Sequence, residues 1–436
     1  MRNKLILVIF ILTCFTFTAF GQKLINSPYS RFNLGYLNPQ GSFRSLAMGG
    51  TGIAMRDNNS VYFLNPASYT SIDTTSFIFD FGFDWGLGRV TDGTETFKTS
   101  DFNFSHLLMG FPVSKKIGVA TGLVPVSNGY YYISNVVSSG DPEYDALTGG
   151  FTSIHRGTGT LNSYFLGVGG LLTKKLSAGI NAKVLFGQLD RLNQFEFEDL
   201  ANFFNQRSTE SLRISGIVFN YGLQYTNIIK KNYFVTAGLS YDNAKRIKNT
   251  HNVLVERFTA YPTSLYSPDT LLNISTTSKD STRLPSSVKL GLSFGKKDKF
   301  VVEVNYSMTF WSDSRLQGSN GTLANSTCIS AGLEYIPEKY SNVSALKRIE
   351  YRVGAHYGGN YLILNGHQVK EYGLSCGLGI RMTGSRIANP LSKATIFFDY
   401  TRRQGDLSIG MPNEDIFSIG ASLNLYDFWF FKRRYE

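Results

Sequence analysis

From about residue 75 the chain alternates apolar and polar positions with period two, almost to its end. FVVEVNYSMTF shows it most cleanly. Phe300, Val302, Val304, Tyr306, Met308 and Phe310 share one face, and Glu303, Asn305, Ser307 and Thr309 share the other. EYGLSCGLGIRM sets Tyr372, Leu374, Cys376, Leu378, Ile380 and Met382 against Glu371, Gly373, Ser375, Gly377, Gly379 and Arg381. SFIFDFGFDWGL puts Phe77, Phe79, Phe81, Phe83 and Trp85 in one row. The pattern predicts strands at about 75–90, 101–113, 116–132, 157–173, 175–193, 211–229, 232–249, 283–294, 299–312, 325–336, 347–361, 367–383, 392–404 and 415–430.

The predicted connections alternate in length. VSKKIG, LTKKLS, IIKKNY and GKKDK are tight turns, while 91–100, 133–156, 194–210, 250–282 and 313–324 read as longer polar loops. Short turns on one side and long loops on the other characterise bacterial outer-membrane barrels. The expected fold is therefore all-β: a 14-stranded antiparallel transmembrane β-barrel with both termini in the periplasm. A soluble sandwich also alternates. Strands of a dozen residues exceed its usual five or six, and so aromatic an outer face suits lipid better.

Composition refines this picture. Arg2 and Lys4, the apolar run Leu5–Phe17 and Ala19-Phe20-Gly21 read as a signal peptide, residues 1–21, removed before Gln22. Cys14 follows a Thr rather than a small residue, a poor lipoprotein site. Cys328 and Cys376 fall on opposite faces of different strands, which disfavours a disulfide. The net charge of +11 is partly explained by lysine pairs at the tight turns, Lys115 and Lys116, Lys174 and Lys175, Lys230 and Lys231, and Lys296 and Lys297. No basic cluster sits on a nucleic-acid recognition fold, so no nucleic-acid partner is expected. The five histidines show no metal-ligand spacing, and no metal or cofactor is expected.

Residues 22–72 break the alternation, and 73–436 form the expected barrel. Sixteen strands leave an aqueous channel and eight fill themselves, so fourteen need a filling. Leu46, Ala47, Met48, Ile53, Ala54 and Met55 are apolar, while Gly49, Gly50 and Gly52 break a long helix. Short helical turns packed in the lumen, a plug, are expected. GGTGIAM lacks the third glycine and the strand–helix context of a dinucleotide fingerprint.

RSLAMGGTGIAMRDNNSVYFLNPASYTSI resembles the N-terminal plug of the FadL/TodX family of outer-membrane barrels for hydrophobic compounds. The matching positions are Gly49, Gly50, Gly52, Asp57, Ser60 and Asn65-Pro66-Ala67. The resemblance implies 14 strands, a plug, and a kink in the third strand that opens the wall sideways. Pro125 in GLVPVSNGYYY lies where that kink would be; alternatively, the strand there is already running into its loop.

Three function classes follow. The first is passive uptake of a hydrophobic small molecule, fatty-acid-like or aromatic, past a gating plug, with lateral exit near strand three. The inward faces are strongly polar, with Glu303, Glu334, Glu350, Arg352, His356, Glu371, Arg381 and Asp399, which argues against a wide apolar tunnel. The second, implied by accessory barrels that resemble the family, is a non-transporting subunit of a secretion or assembly complex, with outer-membrane proteins and lipid as partners. The third, an enzyme, finds no local motif around His106, His155, His251, His356 or His367.

Overall fold

The computed structural model describes residues 27–198, 203–230, 232–259, 268–316, 323–341, 343–382 and 392–428. The expected signal peptide, Cys14, Lys231 and residues 429–436 lie outside the described residues.

Among those residues fourteen strands form one closed antiparallel wall. They are β1 Ser76–Thr91, β2 Thr96–Ser114, β3 Ile117–Asn128 continued by Tyr131–Val137, β4 Phe151–Leu171, β5 Leu176–Phe197, β6 Asn205–Lys230, and β7 Tyr233–Asp242 continued by Lys245–Phe258. The rest are β8 Asp269–Leu284 continued by Ser287–Lys296, β9 Phe300–Thr309, β10 Ser326–Tyr335, β11 Glu350–Leu364, β12 His367–Arg381, β13 Lys393–Gln404 and β14 Asn413–Phe428. β14 closes on β1, from Phe428↔Ser76 to Asn413↔Thr91. Closure removes the edges that lipid cannot hydrogen-bond. The end holding Ser76 is called the lower end below.

The alternation resolves as inside against outside. Phe83, Trp85, Leu290, Leu292, Val304 and Leu374 are exposed on the outer wall, whereas Glu303, Glu334, Glu350 and Arg352 are buried inside. Cys376 is exposed, Cys328 is only half-buried, and both are free thiols.

The wall is uneven. β9 and β10 have 10 residues each, and β6 has 26. Most of the expected long loops are strand instead: the connections shrink to 92–95, 198–204 and 259–268. The reason is physical. Along Gln206–Ser211 and Asp269–Ser278 no side chain is buried, so burial imposes no polar–apolar period although the ladder continues. Nor is the length rule strict. At the lower end 336–349 and 382–392 are long, whereas β11 and β12 meet in a tight turn at Asn365 and Gly366, both at positive φ.

Candidate functional site

Residues 27–72 lie inside the ring, in contact with strands on every side. In the lower half, a single helical turn, Phe43–Leu46, stands beside β13 and β14. Phe43 stacks on Phe397 at 5.2 Å and meets the His106 ring edge-on at 5.1 Å. Gly49, Gly50 and Gly52 follow with φ of +72°, +81° and +154°, a region that L side chains rarely enter. A Cβ at Gly49 would also strike the Ala355 carbonyl. Here the chain turns beneath β10, β11 and β12, and the Gly49 N–H donates to Ser375 Oγ at 2.9 Å.

Glu303 receives the next stretch. Its Oε1 accepts from the backbone N–H of Ala54 at 2.7 Å and of Gly52 at 3.2 Å. Asn65 caps the 3-10 turn Pro66–Ser71, its Oδ1 accepting from Ala67 N–H at 3.2 Å. Its Nδ2 donates to the carbonyls of Ile53 at 2.8 Å, Leu223 at 3.2 Å and Leu239 at 3.3 Å, tying the turn to β6 and β7. Pro66 and Ala67 are buried against β5. Asn65-Pro66-Ala67 is thus both a turn and a wall anchor.

Charge holds this level. Arg44 grips Glu334 with two bonds, Nη2–Oε1 at 2.7 Å and Nε–Oε2 at 2.9 Å. It also pairs with Asp57 and donates to Ser60 Oγ at 2.9 Å. Burial pulls the Arg44 pKa down, but Glu334 above all, with Tyr62 and Glu350, more than reverses it, so the guanidinium stays charged. Behind it Arg352 pairs with Glu334 at 2.7 Å and with Glu350. Arg381 at 3.1 Å and Lys393 at 2.8 Å complete the shell around Glu350. Lys393 reaches back to Asn59 Oδ1 at 3.2 Å. Five of these groups, Glu334, Glu350, Arg352, Arg381 and Lys393, come from four adjacent inward faces, β10 to β13, and close on Arg44.

The upper half is occupied as well. Tyr29 and Leu34 join Leu161, Leu189, Leu212, Ile214, Ile247, Trp311 and Tyr361 in a buried apolar cluster, with Phe32 and Leu37 packed against it. Tyr29 Oη donates to the Pro412 carbonyl at 2.6 Å, and Tyr361 Oη to the Gly35 carbonyl at 2.8 Å. Arg403 lies 3.9 Å over the Tyr36 ring while pairing with Glu371 and Glu414, both at 2.7 Å. His356 and Asp399 both meet Thr401 Oγ1, at 3.4 and 2.7 Å.

A seam runs down the wall at β3. β2 and β3 pair from Ser114↔Ile117 up to Leu107↔Leu123 and no further. Pro125 stands just above, where the pairing of β3 with β4 slips between Pro125 and Ser127. The N-terminal segment replaces β2 there. Tyr36 pairs with Asn128 and Leu37 with Ser127. Asn38 N–H donates to the Val126 carbonyl at 2.9 Å, and Gln40 Nε2 to the Pro125 carbonyl at 3.0 Å. A proline cannot donate to the ladder, so a bulge is where it fits. Two cavities open outside the lumen. One of about 540 Å³ lies at the lower rim by Thr74 and Lys115, and one of about 380 Å³ on the outer wall by Leu166 and Phe219.

The sequence model of the BamG family matches residues 1–436, the whole chain. The chain belongs to the BamG family. No curated protein matches it in sequence. Its fold is FadL/TodX-like. The toluene transporter TodX of Pseudomonas putida is 15% identical with a TM-score of 0.60, over 90% of this chain and 99% of that one. The Ralstonia pickettii toluene transporter TbuX is 13% identical at 0.59, over 89% and 98%. A Pseudomonas aeruginosa FadL homologue is 13% identical at 0.55, over 90% and 98%. At such identities the likeness is one of fold alone.

Sequence reasoning named Glu334, Glu350, Arg352 and Arg381 as inward but missed Arg44, Lys393, Arg403 and Glu414. The last three were accessible to it. In KATIFFDYTRRQ the face holding Asp399 also holds Lys393 and Arg403. Arg44 has no such periodic signal. The placement of Tyr36–Gln40 against β3 has none either, because that stretch is too short to show a period.

Proposed function

We propose that this BamG-family barrel is a non-transporting accessory subunit of an outer-membrane protein assembly complex. The observation that carries the reading is that the chain's own segment 27–72 fills both halves of the lumen. Lower down it is bolted by the Arg44–Glu334 pair, and higher up it occupies the apolar cluster around Tyr361. A gating plug has to leave. Moving this one would part Arg44 from Glu334 and Asp57, breaking a nearly buried charge pair that is costly to separate. Family membership supports the same reading. In this arrangement both termini are periplasmic, the signal peptide has been removed, and the lower end faces the periplasm.

The transport reading, first in order at the sequence level, keeps one observation in its favour: the seam above Leu107↔Leu123, with Pro125 beside it. In that reading Tyr36–Gln40 would have to leave the β3 edge for a hydrophobic molecule to pass into lipid.

Depletion separates the two. Lowering the level of this chain in cells should reduce folded outer-membrane barrels, measured by quantitative membrane proteomics, while uptake of labelled fatty acid and toluene stays unchanged. Loss of uptake with an unaltered outer-membrane proteome would contradict the reading.

A further inference from the structure

Above Ser287 the wall loses a partner. Asp269–Leu284 of β8 pairs with β7 through Leu272↔Val255, Ile274↔Val253 and Thr277↔Thr250. β9 pairs only with the lower part of β8, Ser287–Lys296. Among the described residues, Thr270–Thr277 therefore has no ladder on its second side. Below this stretch, Arg315 bridges to Arg283. Every residue from Thr270 to Thr277 is exposed, and Leu271, Leu272 and Ile274 are exposed to 50, 43 and 48%.

This stretch does not lie in lipid. About ten tilted residues cross the membrane, and Ser287–Lys296 supplies 10. Ile274 stands about 40 Å further up the strand. The neighbouring run KRIKNTHNVLVERF of β7 carries charges suited to water.

Native proteins guard such edges with lysine, proline or short strands. TLLNISTT has no charge, no proline and no glycine. Its one irregularity, the register shift at Leu271, sits at the top, and the ladder with β7 is regular from Leu272 to Ser278. Uncharged β-prone runs of this kind pair with further strands.

We propose that the free edge of β8, Thr270–Thr277, takes an extended segment of a partner protein at the cell surface as an added strand. Main-chain donors and acceptors in a row are satisfied by another strand. The faces define its side chains. Leu272 and Ile274 continue an apolar strip with Val253 and Val255, while Asn273, Ser275 and Thr277 present amide and hydroxyl groups. The added strand thus alternates aliphatic with small polar residues and carries no charge. A second copy fits poorly. In one membrane, every copy's β8 runs downward with the same edge free, so antiparallel pairing would need an inverted barrel. The inference rests on the accessory-subunit reading and gives that subunit a docking edge.

The test uses the full-length chain in its own cells, with a photoreactive benzoylphenylalanine at position 273 or 276. Both probes should crosslink to one short segment of the same partner protein, in consistent register order. Ile274→Lys should lower the yield about tenfold while the chain still folds. Should Ile274→Lys fail to reach the membrane, Ser275→Lys charges the other face. In the complex extracted in mild detergent, amides 270–277 should exchange about tenfold more slowly than in the isolated chain. Crosslinks between two copies, crosslinks only to lipopolysaccharide, scattered crosslinks, or unprotected amides in an intact complex would each overturn the docking edge and leave the accessory reading standing. Recovery of no complex would overturn both.

Discussion

Arg44 and Glu334, 290 residues apart in sequence, meet in a two-point grip inside the barrel, at 2.7 and 2.9 Å. Both are nearly buried, with side-chain exposures of 10 and 4%. A pair so placed adds little net stability compared with an apolar pair of the same shape, yet losing one partner is costly.

Arg44→Ala should therefore destabilise the folded chain by about 3 kcal/mol, since it leaves Glu334 with Arg352 alone and takes from Asp57 its cation. The double change Arg44→Met with Glu334→Leu should recover a substantial part. Denaturant unfolding in detergent, followed by the gel shift between folded and unfolded barrel, measures both. Equal loss in single and double variants would show that the pair is not coupled.

Deleting residues 27–72 should turn the barrel into a pore. Planar-bilayer recording should show steady ion conductance where the intact chain shows little. An unchanged trace would mean that the segment does not seal the lumen.

Gly35 has φ +79°, and a Cβ there would strike the Asn128 carbonyl. Gly35→Val should lift Tyr36 and Leu37 off the β3 edge. A cysteine placed at the buried Ser127, with Cys328 and Cys376 replaced by Ser, should then react with a water-soluble maleimide. In the Gly35 parent it should stay protected. Equal labelling of the two would remove the seal at the seam.

Pro125→Val restores an N–H to β3. If the seam is set by the proline, new pairing with β2 should extend above Leu107↔Leu123, read as slower amide exchange at 124–128. If exchange stays as it was, Tyr36–Gln40 sets the seam rather than Pro125.

Much of this was legible in the sequence. Phe300–Thr309 read as one lipid face and one lumen face because water, lipid and plug impose opposite demands on alternate residues. Leu374 and Cys376 faced out and Glu371 in for the same reason. Asn65-Pro66-Ala67 read as a turn because proline fixes its own geometry. Legibility ended where both sides of a strand meet water. Ser208–Ser211 and Thr270–Ser278 bury neither face, and polar residues outnumber apolar ones in both runs, so a tall ribbon passed for loops. It ended again at Tyr36–Gln40, whose partners on β3 lie about 90 residues away and leave no local trace.

The central claim concerns company rather than cargo. Native mass spectrometry of the chain extracted from its own membrane in mild detergent addresses it most directly. A defined stoichiometric complex with other outer-membrane proteins, carrying no small apolar adduct, is the expected result. A lone barrel with a bound hydrophobic molecule would contradict it and restore the transport reading.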